Sequence, residues 1–252
     1  VRIALEAAGK IGSRAARVLL AERSVEAIGL IGRRSTSPDP RVTTITNLAG
    51  WDVVASDATD HLTRRYRQAS DHGIPLVVPN SQVDLSAEPD IPFVLGANPS
   101  FGVAASIAAH ECARHDNPLE AMVGWTETGS PLRRGLPVTF PQPIGNVWAE
   151  ATQNIWPAAP PVTQFLKAPV EGPWIGLAVR VTAATPDGVE TRTLGVADDR
   201  VFLGAIALAA AALVAGAGTY PVGRSYPTVA FSQYLEAALG AGLAIATFVE
   251  RR

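Results

Sequence analysis

Cysteine, lysine and histidine are all scarce in this chain. Cys112 is the only cysteine among 252 residues, which excludes an intramolecular disulfide and a thiolate-rich zinc site and suits a reducing compartment. It reads as a small buried hydrophobe. Lysine occurs only at Lys10 and Lys167, so any step that needs an ammonium has few candidates. The four histidines, His61, His72, His110 and His115, form no spaced ligand set such as H-E-x-x-H, and no metal is expected. An excess of charge of either sign is missing too. The formal net charge is −2, which excludes a global basic field for nucleic acid or an anionic membrane. An anion site must therefore be local. No basic leader with an apolar core precedes the first strand, so no signal peptide is visible and the cytoplasm is the expected location. The one long apolar run, 201 to 218, approaches the length of a membrane span. It consists mostly of Ala and Gly, which gain little on transfer to lipid, and reads as a buried helix.

What is present is a large apolar fraction, 47% of residues, enough for a substantial core. The first hundred residues alternate short apolar runs with helical patterns. Strands are expected at 2 to 6, 25 to 32, 51 to 56, 74 to 79 and 91 to 96, and helices at 10 to 22, 59 to 72 and 101 to 115. In the first helix Ile11, Ala15, Val18 and Leu19 share one face. This alternation predicts an α/β fold with an N-terminal Rossmann-type, doubly wound parallel sheet over residues 1 to 117. From about 118 the texture changes to an α+β unit over 118 to 252. Strands are expected at 120 to 126, 174 to 183 and 189 to 196, with P-D-G at 186 to 188 as a hairpin turn. The Pro-rich stretch 131 to 174 reads as loop with one short helix around 145 to 155. Two Ala-rich helices, about 199 to 216 and 228 to 248, are expected to close the chain and to be able to pack back on the first domain.

The opening strand runs into E-A-A-G-K-I-G. Gly9 and Gly12 keep a G-x-x-G spacing where a helix begins, and a phosphate-binding turn needs glycine there because the backbone must approach the pyrophosphate. Arg33, Arg34 and Ser35 follow the second strand about twenty residues on. Dinucleotide domains place their ribose-reading group there, an acid for NAD and arginine for NADP. Two guanidiniums and a hydroxyl suit a 2′-phosphate, so NADP(H) is preferred over NAD(H). A solvated basic turn is the other reading of the same residues.

These residues resemble dihydrodipicolinate reductase and its relatives. The opening of that family, G-x-x-G-[RK]-[MI]-G, lies over 6 to 12. Its D-F-T resembles Asp57-Ala58-Thr59, its G-x-P-x-V-I-G-T-T resembles 73 to 81, and its A-N-F-S-x-G-V resembles 97 to 103. A terminal R-x-x-F-x-x-G-A helix resembles 200 to 207 with one residue fewer. The resemblance covers residues 1 to 117 well and the last quarter loosely. It implies a nicotinamide-dependent oxidoreductase with Gly9, Lys10, Ile11 and Gly12 under the pyrophosphate and Lys10 near a phosphate. Asp57, Ala58 and Thr59, with Ala97, Asn98 and Pro99, would lie along the nicotinamide ribose and ring. Two departures stand out. Glu6 replaces the first family glycine, and the family's H-H-x-x-K-x-D-x-P-S-G-T segment is missing, which argues for the same fold with different chemistry.

A carboxylate aimed at a pyrophosphate ~4 Å away would cost about 4 kcal/mol at an effective dielectric of 20. Glu6 is therefore expected to turn sideways, accepting backbone N–H bonds or pairing with an arginine such as Arg14 or Arg33. Chemistry in the second half is sought in G-W-T-E-T-G-S-P-L-R-R-G-L-P-V at 124 to 138. There Arg133 and Arg134 would clamp a substrate carboxylate with Thr126 and Ser130 nearby, and Glu127 would donate the proton if burial raises its pKa. A solvated loop is the plain alternative. Lys167, for which exposed packing is the favoured role, and the loop carrying Tyr220, Arg224 and Tyr226, which could reach the cleft, are the other candidate donors; Trp125, Trp148, Trp156 and Trp174 suit a pocket, with core or subunit-interface packing favoured.

The function expected is hydride transfer to or from a small C=N or C=O substrate. The competing reading is a non-catalytic binding or scaffold protein that keeps the fold, favoured by Glu6 and the missing segment. The expected partners are the small-molecule substrate and copies of the same chain, as a homodimer or homotetramer.

Overall fold

A computed structural model describes the chain except residues 7–8, 33–36, 59, 81, 84, 86, 128–136, 140–145, 151–161, 170–171 and 252, and describes residues 127, 137–139, 146–150 and 162–169 by their backbone alone. The elements are β1 (Arg2–Glu6), α1 (Lys10–Ala21), β2 (Ala27–Ile31), β3 (Val42–Ile45), β4 (Val53–Ser56), α2 (Leu62–Asp71), β5 (Leu76–Val77) and β6 (Pro92–Val94). A π-helical turn, Pro99–Ala104, leads into α3 (Ala105–Ala113). Then come β7 (Pro118–Glu127), β8 (Pro137–Thr139), β9 (Asn146–Glu150), β10 (Val162–Pro169), β11 (Trp174–Thr185) and β12 (Gly188–Asp199). After α4 (Arg200–Gly216) and β13 (Gly223–Ser225), a 3-10 turn at Pro227–Ala230 precedes α5 (Phe231–Gly240) and β14 (Ala246–Arg251).

The first sheet has the order β13-β6-β5-β4-β1-β2-β3, and every pairing in it is parallel. From β3 to β6 this is the doubly wound order 3-2-1-4-5-6 reversed in direction, with its switch point between β1 and β4. Parallel strands covered on both faces carry apolar residues in succession, as Ile3-Ala4-Leu5 and Val53-Val54-Ala55 do. Ile3 and Leu5 face one core with Ala15, Leu19 and the α4 residues Leu203 and Ile206. Ala4 and Val54 face a second, smaller core with Leu62, Leu76 and Phe93. The second sheet has the order β14-β12-β11-β7-β10-β9-β8. All its pairings are antiparallel except β7 with β10. Its residues Val123, Trp125, Leu177 and Val179 join the larger core, beneath α3.

This is the expected α/β arrangement of a Rossmann-type sheet followed by an α+β part, with several corrections of detail. Residues 146–150 form strand β9 where a short helix is expected. Val147 and Trp148 favour a pleated strand, and β9 has a partner on each side, β8 and β10. The closing helix expected at 228 to 248 is cut short at Gly240. Gly242 adopts φ +100, which a helix cannot continue, and the chain then extends as β14 along β12. Strands β8 and β10 fall in the stretch 131 to 174 that is expected to be loop, and strands β3 and β13 have no counterpart in the sequence reading. The latter two are edge strands of three or four residues, too short for a periodic signal. The Ala-rich α4 lies along α1 and across β1, β4 and β5. A Cβ on Gly204 would stand 3.0 Å from Ile11 Cδ1, so the missing side chain lets the two helices meet.

Candidate functional site

The switch point brings three polar residues to the carboxyl ends of adjacent strands. Glu6 ends β1 and lies opposite Ser56, which ends β4; Asp57 follows. In open α/β sheets this is the crevice that accepts ligands.

Helix α1 begins directly behind it, with Gly9 as N-cap in extended conformation. Asp57 Oδ2 accepts the Gly9 amide at 3.1 Å and the Gly12 amide at 2.8 Å. The start of this helix thus already holds an anion, as backbone N–H groups at a helix N-terminus are disposed to do. The Ser13 amide bonds back to Gly9 O at 3.2 Å, so the Lys10 and Ile11 amides are the first-turn donors left outside these contacts by helical geometry. Lys10 is exposed, whereas the Ile11 side chain packs against α4 at Gly204.

Glu6 does turn sideways, toward Arg65 of α2 and not toward Arg14; Arg33 lies outside the described residues. Its Oε2 accepts Arg65 Nε at 3.0 Å and Ser56 Oγ at 2.7 Å, and its Oε1 accepts Arg65 Nη2 at 2.6 Å. Arg65 Nη1 donates to Gln68 Oε1 at 2.6 Å. The pair is largely buried, with side-chain exposures of 9% for Arg65 and 13% for Glu6. Burial by itself raises the Glu6 pKa, but the bonds from Arg65 and Ser56 and the charge of Arg65 outweigh it and hold the carboxyl below its ordinary value. The Glu6 charge is therefore compensated within the fold. Arg14 instead stacks over the Phe202 ring, 5.3 Å from its centroid. The sequence pointed to arginines near in the chain; Arg65 lies 59 residues away, and only the β1–β4 pairing brings it close.

Opposite the crevice, Gly96 turns the chain after β6 at φ +69. A Cβ there would also meet Phe101 Cβ at 3.0 Å. Ala97 is fully buried. Asn98 caps the π-helical turn: its Oδ1 accepts the Phe101 amide at 2.8 Å and Ser100 Oγ at 3.0 Å, and its Nδ2 donates to Pro79 O at 2.7 Å. Pro99 opens that turn, where its missing N–H costs nothing. Ala58 donates its amide to Ser56 Oγ at 3.3 Å. Thr126 is buried, and its Oγ1 accepts the Gly176 amide at 2.8 Å.

The remaining expected site residues lie outside the described part: Arg33, Arg34 and Ser35, Thr59, Ser130, Arg133 and Arg134, and the Glu127 and Lys167 side chains. Of the other donors, Tyr220 is buried, and Arg224 lies 3.9 Å from Glu88 on the surface. Trp125 packs on Phe101 with ring centroids 5.7 Å apart, whereas Trp174 is exposed. Among the described residues no group of three His, Cys, Asp or Glu could hold a metal, and no helix is long and apolar enough to cross a membrane. Sequence reasoning missed Arg65 and Ser56. The one available signal was the charge of Glu6, which demands a cation somewhere.

No family model and no curated protein matches the sequence. Solved structures do match in fold. A meso-DAP dehydrogenase variant from Clostridium tetani E88, with DAP, gives a TM-score of 0.53 at 12% identity over 93% of this chain and 96% of that one. The amine dehydrogenase of Mycobacterium smegmatis gives 0.53 at 14% identity, over 91% and 95%. Dipicolinate-bound dihydrodipicolinate reductase from Paenisporosarcina sp. TG-14 gives 0.50 at 9% identity, over 91% and 98%. At such identities the likeness is one of fold. The chain shares its Rossmann sheet and following α+β part with dihydrodipicolinate reductase-like oxidoreductases.

Proposed function

We propose that this chain is an NADP(H)-dependent oxidoreductase acting on a small C=N or C=O substrate. The observation that carries this reading is the switch-point crevice. Asp57 engages the Gly9 and Gly12 amides and leaves those of Lys10 and Ile11 outside its contacts, while the Glu6 charge that would repel a pyrophosphate is taken up by Arg65. The residues present therefore fit a dinucleotide. Lys10 and the Lys10 and Ile11 amides would hold the pyrophosphate, and Asp57 would brace the turn. Arg33, Arg34 and Ser35 would bind the 2′-phosphate, which makes NADP(H) the preferred form. A bound nicotinamide supplies or accepts the hydride. Ala58, Thr59 and the Ala97–Pro99 loop would line its ribose and ring. An engineered D-amino acid dehydrogenase of the same fold, at 12% identity and a TM-score of 0.51, has been solved with NADP+ bound.

Within the same reading, Arg133 and Arg134 clamp the substrate carboxylate with Thr126 and Ser130 beside them, and Glu127 donates the proton. The division into a dinucleotide domain over 1 to 117 and a substrate domain over 118 to 252 belongs to this proposal. So does a cytoplasmic homodimer or homotetramer, for which light scattering should give a mass at least twice that of the 26.4 kDa chain.

One observation favours a second reading, that of a non-catalytic dinucleotide-binding or scaffold protein. Asp57 already occupies the Gly9 and Gly12 amides, and a nucleotide must bind beside it. Nicotinamide fluorescence separates the two. Mixing with NADPH and a panel of 2-oxo acids with ammonia, imines and aldehydes should both enhance the emission and, with one member, extinguish it by oxidation. Enhancement without oxidation across the panel favours the sensor, and no change at all favours the scaffold.

A further inference from the structure

On the solvent side of α1, Lys10, Arg14 and Arg17 stand at i, i+4 and i+7, so three cations project from one side of the helix. All three are exposed. With Gly9, Ser13 and Val201 of α4 they line a cavity of about 410 Å³, within the size range of small-molecule sites. Among the described residues none of the three pairs with a carboxylate. Asp57 is engaged with the Gly9 and Gly12 amides and does not line the cavity.

Left to itself this arrangement is unfavourable. Like charges three and four residues apart on a helix repel, and Lys10 at the first helical position faces the positive end of the helix dipole. The whole chain nevertheless carries a net charge of −2, so the basic face is a local concentration. Arg14 is also preorganised, its guanidinium fixed over the Phe202 ring at 5.3 Å. The Arg17 Cα lies roughly 10 Å along the axis from that of Lys10, so the basic face extends about two turns past the helix start.

We propose that this face of α1 is a second anion site, which takes a small molecule bearing clustered phosphates beside the dinucleotide. Arg14 and Arg17 offer planar forks to phosphate oxygens, and Lys10 adds a point charge where the two sites meet. The dinucleotide reading makes no use of Arg14 or Arg17, so either proposal can fail without the other.

Calorimetry with sodium tripolyphosphate on the full chain tests it, using wild type, R14Q/R17Q and the single variant R17Q, each with and without saturating NADPH. The expected result is saturable binding to wild type that weakens about tenfold or more in R14Q/R17Q, persists with NADPH present, and leaves NADPH affinity within about twofold. R17Q, which loses no ring contact, keeps the test alive if the double variant does not fold, and should weaken binding on its own. Tripolyphosphate should also raise the melting temperature of wild type more than that of either variant. Absent binding, equal binding by wild type and variants, or complete displacement by NADPH would overturn the proposal. Displacement would assign the cations to the dinucleotide groove. Tripolyphosphate binding without NADPH binding would sink the dinucleotide reading and leave this one standing.

Discussion

The two seven-stranded sheets of this molecule distribute their polar residues in opposite ways. In the central strands β1 and β4 of the parallel sheet the interiors are apolar and buried, as in Val53-Val54-Ala55, and the polar groups Glu6, Ser56 and Asp57 gather at their carboxyl ends. In the second sheet polar groups run along the strands: Thr182 faces Thr191, and Arg192 reaches both Glu111 at 2.7 Å and Glu190 at 3.7 Å. The outermost strand, β14, is exposed throughout. A sheet covered on both faces can place charge only at its ends, whereas a sheet with an open face carries it anywhere. A charged residue at the carboxyl end of a central strand of the first sheet therefore marks a candidate site, whereas one on its edge strand β13, such as Arg224, or in the second sheet does so only with further support.

The two sheets should differ most at Glu6. Glu6→Ala leaves the Arg65 guanidinium buried with only Gln68, and should cost about 3 kcal/mol in urea denaturation. Glu190→Ala frees the exposed Arg251 and leaves Arg192 paired with Glu111, and should cost far less. Equal losses would mean that the two sheets treat charge alike. The Glu6 carboxyl is held below its ordinary value, so folding lowers its pKa. Its contribution is complete above the unfolded value, near 4.5, and fades as pH falls through the lower folded value. Wild type should therefore lose more stability than Glu6→Gln between pH 5 and acid unfolding.

Packing gives the next contrast. On Gly102 a Cβ would stand 2.6 Å from Tyr234 Oη and 3.0 Å from Gly96 O, so Gly102→Ala should cost about 1–3 kcal/mol. On Gly195 in β12 a Cβ would meet only Leu177 O, at 3.8 Å, and Gly195→Ala should be close to neutral. Thermal melts of the two variants compare them directly. Thr126→Val removes the acceptor of the buried Gly176 amide and should cost about 1–2 kcal/mol. If Thr126 also touches substrate, KM should rise in proportion beyond what stability explains. The smallest effect is expected at Phe248, exposed on β14. Phe248→Ser should change monomer stability by no more than about 0.5 kcal/mol, unless light scattering shows that it also lowers the mass of the particle.

The parts of the fold legible in the sequence were those with repeated apolar spacing. Ala15, Val18 and Leu19 on one face announce α1, and the Pro186-Asp187-Gly188 turn announces the β11–β12 hairpin. Edge strands of three or four residues, β3 and β13, give no period to read, and β14 hides because the apolar run of α5 continues toward it past Gly242, although Thr247, Phe248 and Val249 favour a strand. At the site, the glycine spacing located the start of α1, while its charge balance was illegible. Asp57 reaches Gly12 across 45 positions and Arg65 reaches Glu6 across 59. Those distances close only when β4 lies beside β1. Asn98 shows the converse. Its motif A-N-P-S-F-G-V does not announce the structural role it also has, as the cap of the π-helical turn with a bond to Pro79.

The central claim is that the β1–β4 crevice binds a dinucleotide despite Glu6. The most direct measurement is a calorimetric titration of NADPH and of NADH into wild type and into Arg33→Ala/Arg34→Ala. The account predicts micromolar NADPH binding that weakens by ~1–3 kcal/mol in the double variant, with NADH weaker in wild type and little altered by the substitutions. No heat and no thermal shift with either nucleotide would contradict it, and would leave Asp57 as the only anion the start of α1 ever holds.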